Sequence, residues 1–331
     1  MTMKLGSGLR RHLLPLAIIL LVSALFGLIF GLTQFPRTSV ALFQPQSVCT
    51  YALKGPIVTV AEPSLLTGSD SITPELVRKV LERARSEGCR ALVFTVESPG
   101  GDVAATHEIY VRILNFRRET RTPVVVYVGG LAASGGYYIS LAADHIVVNP
   151  ASMVGSVGAV GTLVSFKGLL DTLGIDVVTV KSGEYKDVGN SLREITETDV
   201  RFLRELVDAA FRQFAEVVRK TRDKLNPAYE RDVFSAKVFL GLEALNAGLI
   251  DEVGTYEDAV SRARELAGLP RDAPVRELRV ATGTAFRLPI PIPAGGEPLS
   301  PGGMKVLYIE PSHVAHFLFS EEIRIWRSQG R

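Results

Sequence analysis

Cysteine is scarce in this chain, with two in 331 residues, Cys49 and Cys89. Two thiols cannot make a disulfide framework or a four-ligand zinc site; they either form one bridge or stay as two buried thiols. Histidine is sparse as well. His12, His107, His145, His313 and His316 are scattered, without the spacing of a metal-binding helix, so neither a metal nor any other cofactor is expected. An excess of charge of one sign is also lacking. Lys and Arg number 37 against 35 Asp and Glu, a net charge of +2, which leaves no electrostatic footprint for nucleic acid. Internal repeats are absent, and the one biased segment is a Pro/Gly-rich stretch near the C-terminus.

Long hydrophobic runs are lacking too, with one exception. Residues 13–32 carry no charge, and about 20 apolar residues suffice to cross a hydrocarbon core of about 30 Å. Lys4, Arg10 and Arg11 precede the run, so the expectation is an anchor at 13–33, a cytoplasmic N-terminus at 1–12 and everything later outside the cytoplasm. A cleaved signal peptide is the rival, but no small-x-small site follows the run. Residues 34–54, with Pro36 and Pro45, read as a connector.

From residue 55 the chain alternates strand-like and helix-like segments. Gly55–Val60 reads as a first strand. Thr73 and Pro74 open a helix as N-cap and first helical residue. Cys89–Val96 is an almost wholly apolar strand, as a sheet buried on both faces requires. A helix to about Arg118, a strand at Val124–Val128, strands near His145–Val148 and Gly158–Val164, a helix from Gly168 and a strand at Asp176–Val180 follow. Thr196–Arg222 is a long amphipathic helix with a solvated charged face. Helical segments around 227–231, 235–239, 242–247 and 256–266 close the domain. The order predicts an α/β fold, a mostly parallel sheet flanked by helices. Beyond about Gly268 the composition shifts to a Pro/Gly-rich linker and tail (269–331), with a late strand at Val306–Ile309.

Three loops at strand ends carry the polar chemistry: Ser98–Asp102, Leu131–Gly136 and Gly183–Asn190. Sites in open parallel sheets form outside the carboxyl ends of the strands. Ser134 falls where a strand ends and a helix begins, a position whose free N–H groups favour developing negative charge. As an alternative, Ser134 is merely a helix N-cap and the glycines beside it a turn. A serine nucleophile needs a base, and with no histidine in an equivalent loop Lys186 is the natural candidate. Such a lysine must be neutral to accept a proton, and burial is what favours that form. His107 is the competing base. Backbone N–H groups of Gly100, Gly101 and Gly135 are candidates for an oxyanion hole. Ser156 is either a group that orients the lysine amine or a turn serine.

Several of these motifs together are similar to one family. Ser98–Gly101, Ala132–Tyr138, Ala142–Ile146, Gly155–Gly158 and Lys181–Asp187, with Leu242–Gly254 later, resemble in order and spacing the short form of the signal peptide peptidase A family, serine peptidase family S49. The resemblance spans roughly residues 55–268, which it marks as a single peptidase domain. It implies a ClpP/crotonase-like fold and a Ser–Lys dyad of Ser134 as nucleophile and Lys186 as general base, with Gly101 and its neighbour Gly100 contributing to the oxyanion hole. It also implies a serine endopeptidase at the inner (cytoplasmic) membrane, single-pass, assembled as a homo-oligomer and degrading remnant signal peptides and other unfolded apolar peptides. It leaves open whether both residues of a working site come from one protomer.

Three other readings compete. One is a related membrane protease with a dedicated membrane-protein substrate. Another is a crotonase-like acyl-CoA enzyme, which would need neither Ser134 nor Lys186. The last is a non-catalytic membrane scaffold.

Overall fold

A computed structural model describes residues 21–23, 46–60 and 71–280. The expected anchor lies outside these residues except for Leu21–Ser23, which are helical, and among the described residues no helix is long and apolar enough to cross a membrane. The C-terminal linker and the late strand at Val306–Ile309 also lie outside them.

Six parallel strands form the main sheet, in the order β8-β5-β3-β2-β1-β9. They are β1 (Val48–Lys54), β2 (Ala91–Glu97), β3 (Val124–Val128), β5 (His145–Val148), β8 (Glu252–Val253) and β9 (Val275–Glu277). A smaller sheet holds β4 (Leu131–Ala133), β6 (Met153–Gly155) and β7 (Val238–Leu240). The helices are α1 (Pro74–Ser86), α2 (Val103–Thr120), α3 (Gly135–Ser140), α4 (Lys167–Thr172), α5 (Glu197–Thr221), α6 (Glu230–Val233), α7 (Gly241–Asn246) and α8 (Tyr256–Leu266).

The strands are apolar on both faces because both faces are covered. Leu92, Phe94, Val124, Val126, Ile146 and Val148 belong to a large core shared with α1, α2 and α3. Their neighbours Ala91, Val93, Val125 and Val147 pack with Ala259, Val260 and Ala263 of α8 in a second core. Helix starts follow local chemistry. The Thr73 hydroxyl accepts from Leu76 N–H at 3.0 Å, and Thr196 and Thr255 each form a reciprocal capping box with an aspartate three residues on.

Cys49 and Cys89 form a disulfide that ties the start of β1 to the turn before β2. Of the two readings open in the sequence, the bridge is the one the structure takes.

Several expectations need correction. The first strand is Val48–Lys54, inside the stretch read as a connector, not Gly55–Val60. Gly55 takes φ +90° and Pro56 offers no N–H, so the ladder stops there, and Ile57 makes only single bridges to Ile72 and Gly101. With β9 paired to β1, the sheet extends past both ends of the span 55–268. Neither Gly158–Val164 nor Asp176–Val180 is a strand. Val160, Val178 and Val180 are 90%, 86% and 94% exposed, and no strand among the described residues lies beside them to complete a ladder. The segment around Ser235–Phe239 ends in β7, not in a helix. Only the C-terminal half of α5 is sunk in the core, through Phe214, Ala215, Val217 and Val218, while Val200 and Leu206 face outward.

Candidate active site

Ser98–Asp102, Leu131–Gly136 and the turn after β6 converge at the carboxyl edge of β2 and β3, while Gly183–Asn190, the third loop expected there, makes no hydrogen bond or ion pair to them among the described residues. Ser98 follows β2 and is fully buried. Its N–H donates to Leu131 C=O at 2.8 Å, and Ala133 N–H donates to its C=O at 3.1 Å. The Ser98–Asp102 turn is therefore stitched to β4 as an added strand. Pairing of β4 with β6 brings Gly155 alongside, and Ser134 N–H donates to Gly155 C=O at 2.9 Å.

Ser134 sits at φ 52°, ψ −121°, a conformation that side-chain-bearing residues seldom adopt. Tyr138 N–H donates to its C=O, but its hydroxyl caps nothing in α3 and has no partner among the described residues. The N-cap alternative predicted a spent hydroxyl, so this geometry favours the other role. A strained turn between strand and helix with a free hydroxyl is the usual setting of a nucleophile.

Two backbone donors in the adjoining turns are unspent. Gly135 opens α3, where the first N–H groups have no helical acceptor, and Gly101 N–H likewise has no acceptor among the described residues. Gly100 differs from both. Its N–H donates to Ser98 Oγ at 3.1 Å, and its C=O accepts from Ile57 N–H at 2.8 Å. Its part is steric: at φ +96°, a Cβ there would lie 2.6 Å from Gly135 N and 2.9 Å from Ser134 Cβ. Of the three glycines expected at an oxyanion hole, Gly101 and Gly135 thus hold unspent N–H groups and Gly100 makes room for them.

The remaining candidates separate. His107 Nδ1 lies 2.9 Å from Tyr138 Oη, and its ring meets Tyr110 and Tyr138 in an aromatic cluster. Burial pushes the Tyr138 phenol up to about 12, so it serves there as a neutral hydrogen-bonding group. Ser156 follows Gly155 at φ 54°, its N–H bonded to Lys237 C=O at 2.9 Å. It belongs to the strand system that holds Ser134, as a turn residue whose hydroxyl is free of partners among the described residues.

Lys186 is exposed, on a 3-10 turn spanning Glu184–Asp187, and makes no hydrogen bond or ion pair to Ser134 among the described residues. The segment that carries it presents Val160, Phe166, Leu169, Leu173, Val178, Val180 and Tyr185 to solvent.

Nothing in the sequence marks Ser98 as the residue that pins this turn to β4, although it begins the Ser98–Gly101 motif. Thr106 is likewise unmarked in the sequence; its buried Oγ1 has no partner among the described residues and would lie 2.6 Å from a Cβ on Gly135.

The model of peptidase family S49 matches residues 116–270, and that of the Clp protease family matches residues 45–154. A Synechocystis protein named as a protease, slr0021, is 34% identical over 202 residues, covering 60% of this chain and 71% of its own. The chain belongs to peptidase family S49. A further relative, the Methanocaldococcus jannaschii protein MJ0651, also named as a protease, is 36% identical over 185 residues, 56% of this chain and 58% of that one. Protease 4 of Haemophilus influenzae is 26% identical over 256 residues, 75% of this chain but 39% of its own. The chain thus spans less than two thirds of the length of these last two relatives. A solved structure of the 1510-N membrane-bound stomatin-specific protease with a substrate peptide aligns at a TM-score of 0.43 and 17% identity, over 72% of this chain and 94% of that one.

Proposed function

We propose that this S49 member is a membrane-anchored serine endopeptidase that cleaves remnant signal peptides and other unfolded apolar peptides with a Ser134–Lys186 dyad. One observation carries the reading: the Ser134 hydroxyl on a strained strand-to-helix turn, unspent among the described residues, as are the N–H groups of Gly101 and Gly135.

In the proposed reaction Ser134 Oγ attacks the scissile carbonyl carbon while the neutral Lys186 amine takes the hydroxyl proton. The carbonyl oxygen becomes an oxyanion that accepts from the Gly101 and Gly135 N–H groups. Collapse breaks the C–N bond, and the Lys186 ammonium returns the proton to the departing amine. Water then attacks the acyl ester, Lys186 takes its proton, and the Oγ–C bond breaks as the proton passes to Ser134.

Lys186 meets Ser134 only if the exposed arm of residues 158–200 is packed, which is the case for a homo-oligomer. The solvent-facing valines, leucines and Phe166 of that arm support such an assembly, with the base drawn from the same protomer or a neighbour. Apolar residues 13–32 and the basic residues before them support a single-pass anchor with its N-terminus in the cytoplasm. The Cys49–Cys89 disulfide supports an oxidising, extracytoplasmic location for the catalytic domain.

The test is hydrolysis of a synthetic signal peptide by the detergent-solubilised chain, beside Ser134→Ala and Lys186→Ala. The reading expects both variants to stay folded and to lose at least about a thousandfold in rate, because nucleophile and base act as one unit. A fully active Lys186→Ala would overturn the dyad. Wild type inert on every unfolded apolar peptide would overturn the substrate class.

A further inference from the structure

The segment that carries Lys186 has little regular structure, yet the residue after it is held from two sides. Asp187 is 8% exposed in its side chain, on an otherwise open arm. Its Oδ1 accepts from Lys181 Nζ at 2.7 Å and its Oδ2 from Arg193 Nε at 2.8 Å. The same guanidinium donates from Nη2 to the Asp187 C=O at 2.9 Å. It then spans to Asp199, whose two oxygens accept from Nη2 at 2.7 Å and Nη1 at 2.6 Å. Asp199 is no loose surface carboxylate. It is the third residue of α5, locked to Thr196 in the capping box, with its side chain 3% exposed. Lys181 completes the frame by donating to Glu184 C=O at 3.2 Å, so both ends of the 3-10 turn are held.

We propose that Arg193 is the positioning residue for the Lys186 amine: it couples the turn that bears the base to the rigid start of α5 and keeps the Asp187 carboxylate occupied. This rests on the dyad reading. A base that must be neutral is impaired by an unpaired carboxylate beside it, which stabilises the ammonium form. Asp187 is one residue from Lys186, and both its oxygens are committed to other cations. Of the other carboxylates around the turn, Asp199 is held by Arg193, and Glu184 Oε1 accepts from the uncharged Thr198 hydroxyl at 3.2 Å, a contact that the Arg193 variants leave in place. A lysine at 193 would carry the charge but not the fork that grips two carboxylates and a carbonyl at once.

The experiment compares full-length wild type, Arg193→Gln, Arg193→Lys, Lys181→Met and Lys186→Ala in detergent. It reads kcat and KM against pH on one apolar peptide, together with fluorophosphonate labelling of Ser134 by intact mass. Arg193→Gln is expected to keep KM within about twofold and to lose about tenfold in kcat near neutral pH. Its rising limb should move about one pH unit upward, so that the loss closes in alkali. Arg193→Lys should recover part of the rate. If Arg193→Gln also lowers thermal stability, Lys181→Met, which frees Asp187 Oδ1 without touching the α5 cap, must show a limb displaced in the same direction. An unmoved limb in both variants, with Lys186→Ala inactive, would overturn the inference and leave the dyad standing. Full activity of Lys186→Ala would instead overturn the dyad, and this inference with it.

Discussion

Removing the Cys49–Cys89 bridge tests both the stability of the domain and its compartment. The bond joins residues 40 apart, and the strands around it are already braced, for instance by Arg90 N–H donating to Ser47 C=O at 3.0 Å. Breaking it therefore leaves the native contacts nearly intact and acts mainly by freeing the unfolded chain. In the chain-entropy account, a closed loop of about 40 residues withholds about 13 cal/mol/K from the unfolded state, or about 4 kcal/mol at 25 °C. With a urea slope of about 2–3 kcal/mol/M, the midpoint should fall by about 1.5 M on reduction. Against a total stability of about 5–15 kcal/mol, that is a loss the domain would not easily sustain in a reducing cytoplasm. The assay is urea unfolding followed by far-UV circular dichroism, with and without dithiothreitol, alongside the Cys49→Ala/Cys89→Ala double variant and a thiol titration to prove reduction. A midpoint shift under about 0.3 M in fully reduced protein would refute the entropic argument. Absence of the bond in protein isolated from its native cells would refute the extracytoplasmic location proposed above.

Other predictions follow from single positions. Gly100→Ala places a Cβ against Gly135 N and Ser134 Cβ at φ +96°, and should cost about 1–3 kcal/mol in stability and about a hundredfold in peptide hydrolysis; near-normal turnover would contradict the packing described. Thr106→Val replaces an orphaned buried hydroxyl with a methyl of similar shape, so the melting temperature should hold or rise; a clear fall would mean that the hydroxyl has a partner. Tyr137→Phe strips the donor to Leu249 C=O at 2.6 Å, a fully buried contact, and should cost about 1–3 kcal/mol by urea unfolding. Arg193 holds the Asp199 and Asp187 carboxyls below the ordinary carboxylate range. Their folded values are depressed, so their contribution is complete above about pH 4 and fades only as pH falls through the folded values. Amide exchange at the start of α5 should stay slow down to about pH 4; opening already at pH 5 would argue against the network.

Local signals made much of the fold legible in advance. Thr73 with Pro74 is a helix start written in two residues, and the structure realises it; the capping boxes at Thr196 and Thr255 are further starts that the structure adds. The apolar runs at Leu92–Val96 and Val124–Val128 became central strands because nothing else buries both faces of such a segment. Pairing was harder to read. The pattern of Asp176–Val180 is that of a strand, but a strand exists only where another offers its ladder, and Val178 and Val180 have none among the described residues. Conversely, Val48–Lys54 lay in an unpromising stretch and became a strand of the sheet because both β2 and β9 flank it.

The sequence by itself determined the alternation of strands and helices, the serine at a strand-to-helix turn, and the glycines, whose lack of a side chain is a local property. It also pointed to Lys186 as the base to consider, since no histidine occupies an equivalent loop. Tertiary structure alone decided that Ser134 has a free hydroxyl, that the Gly100 N–H is spent on Ser98 while those of Gly101 and Gly135 are not, and that Cys49 reaches Cys89. It decided, too, that Arg193 links Asp187 to Asp199. The physical reason is common to all of these. A hydrogen bond or a bridge depends on which groups distant in the chain arrive within about 3 Å of each other, and that is set by the packing of whole elements.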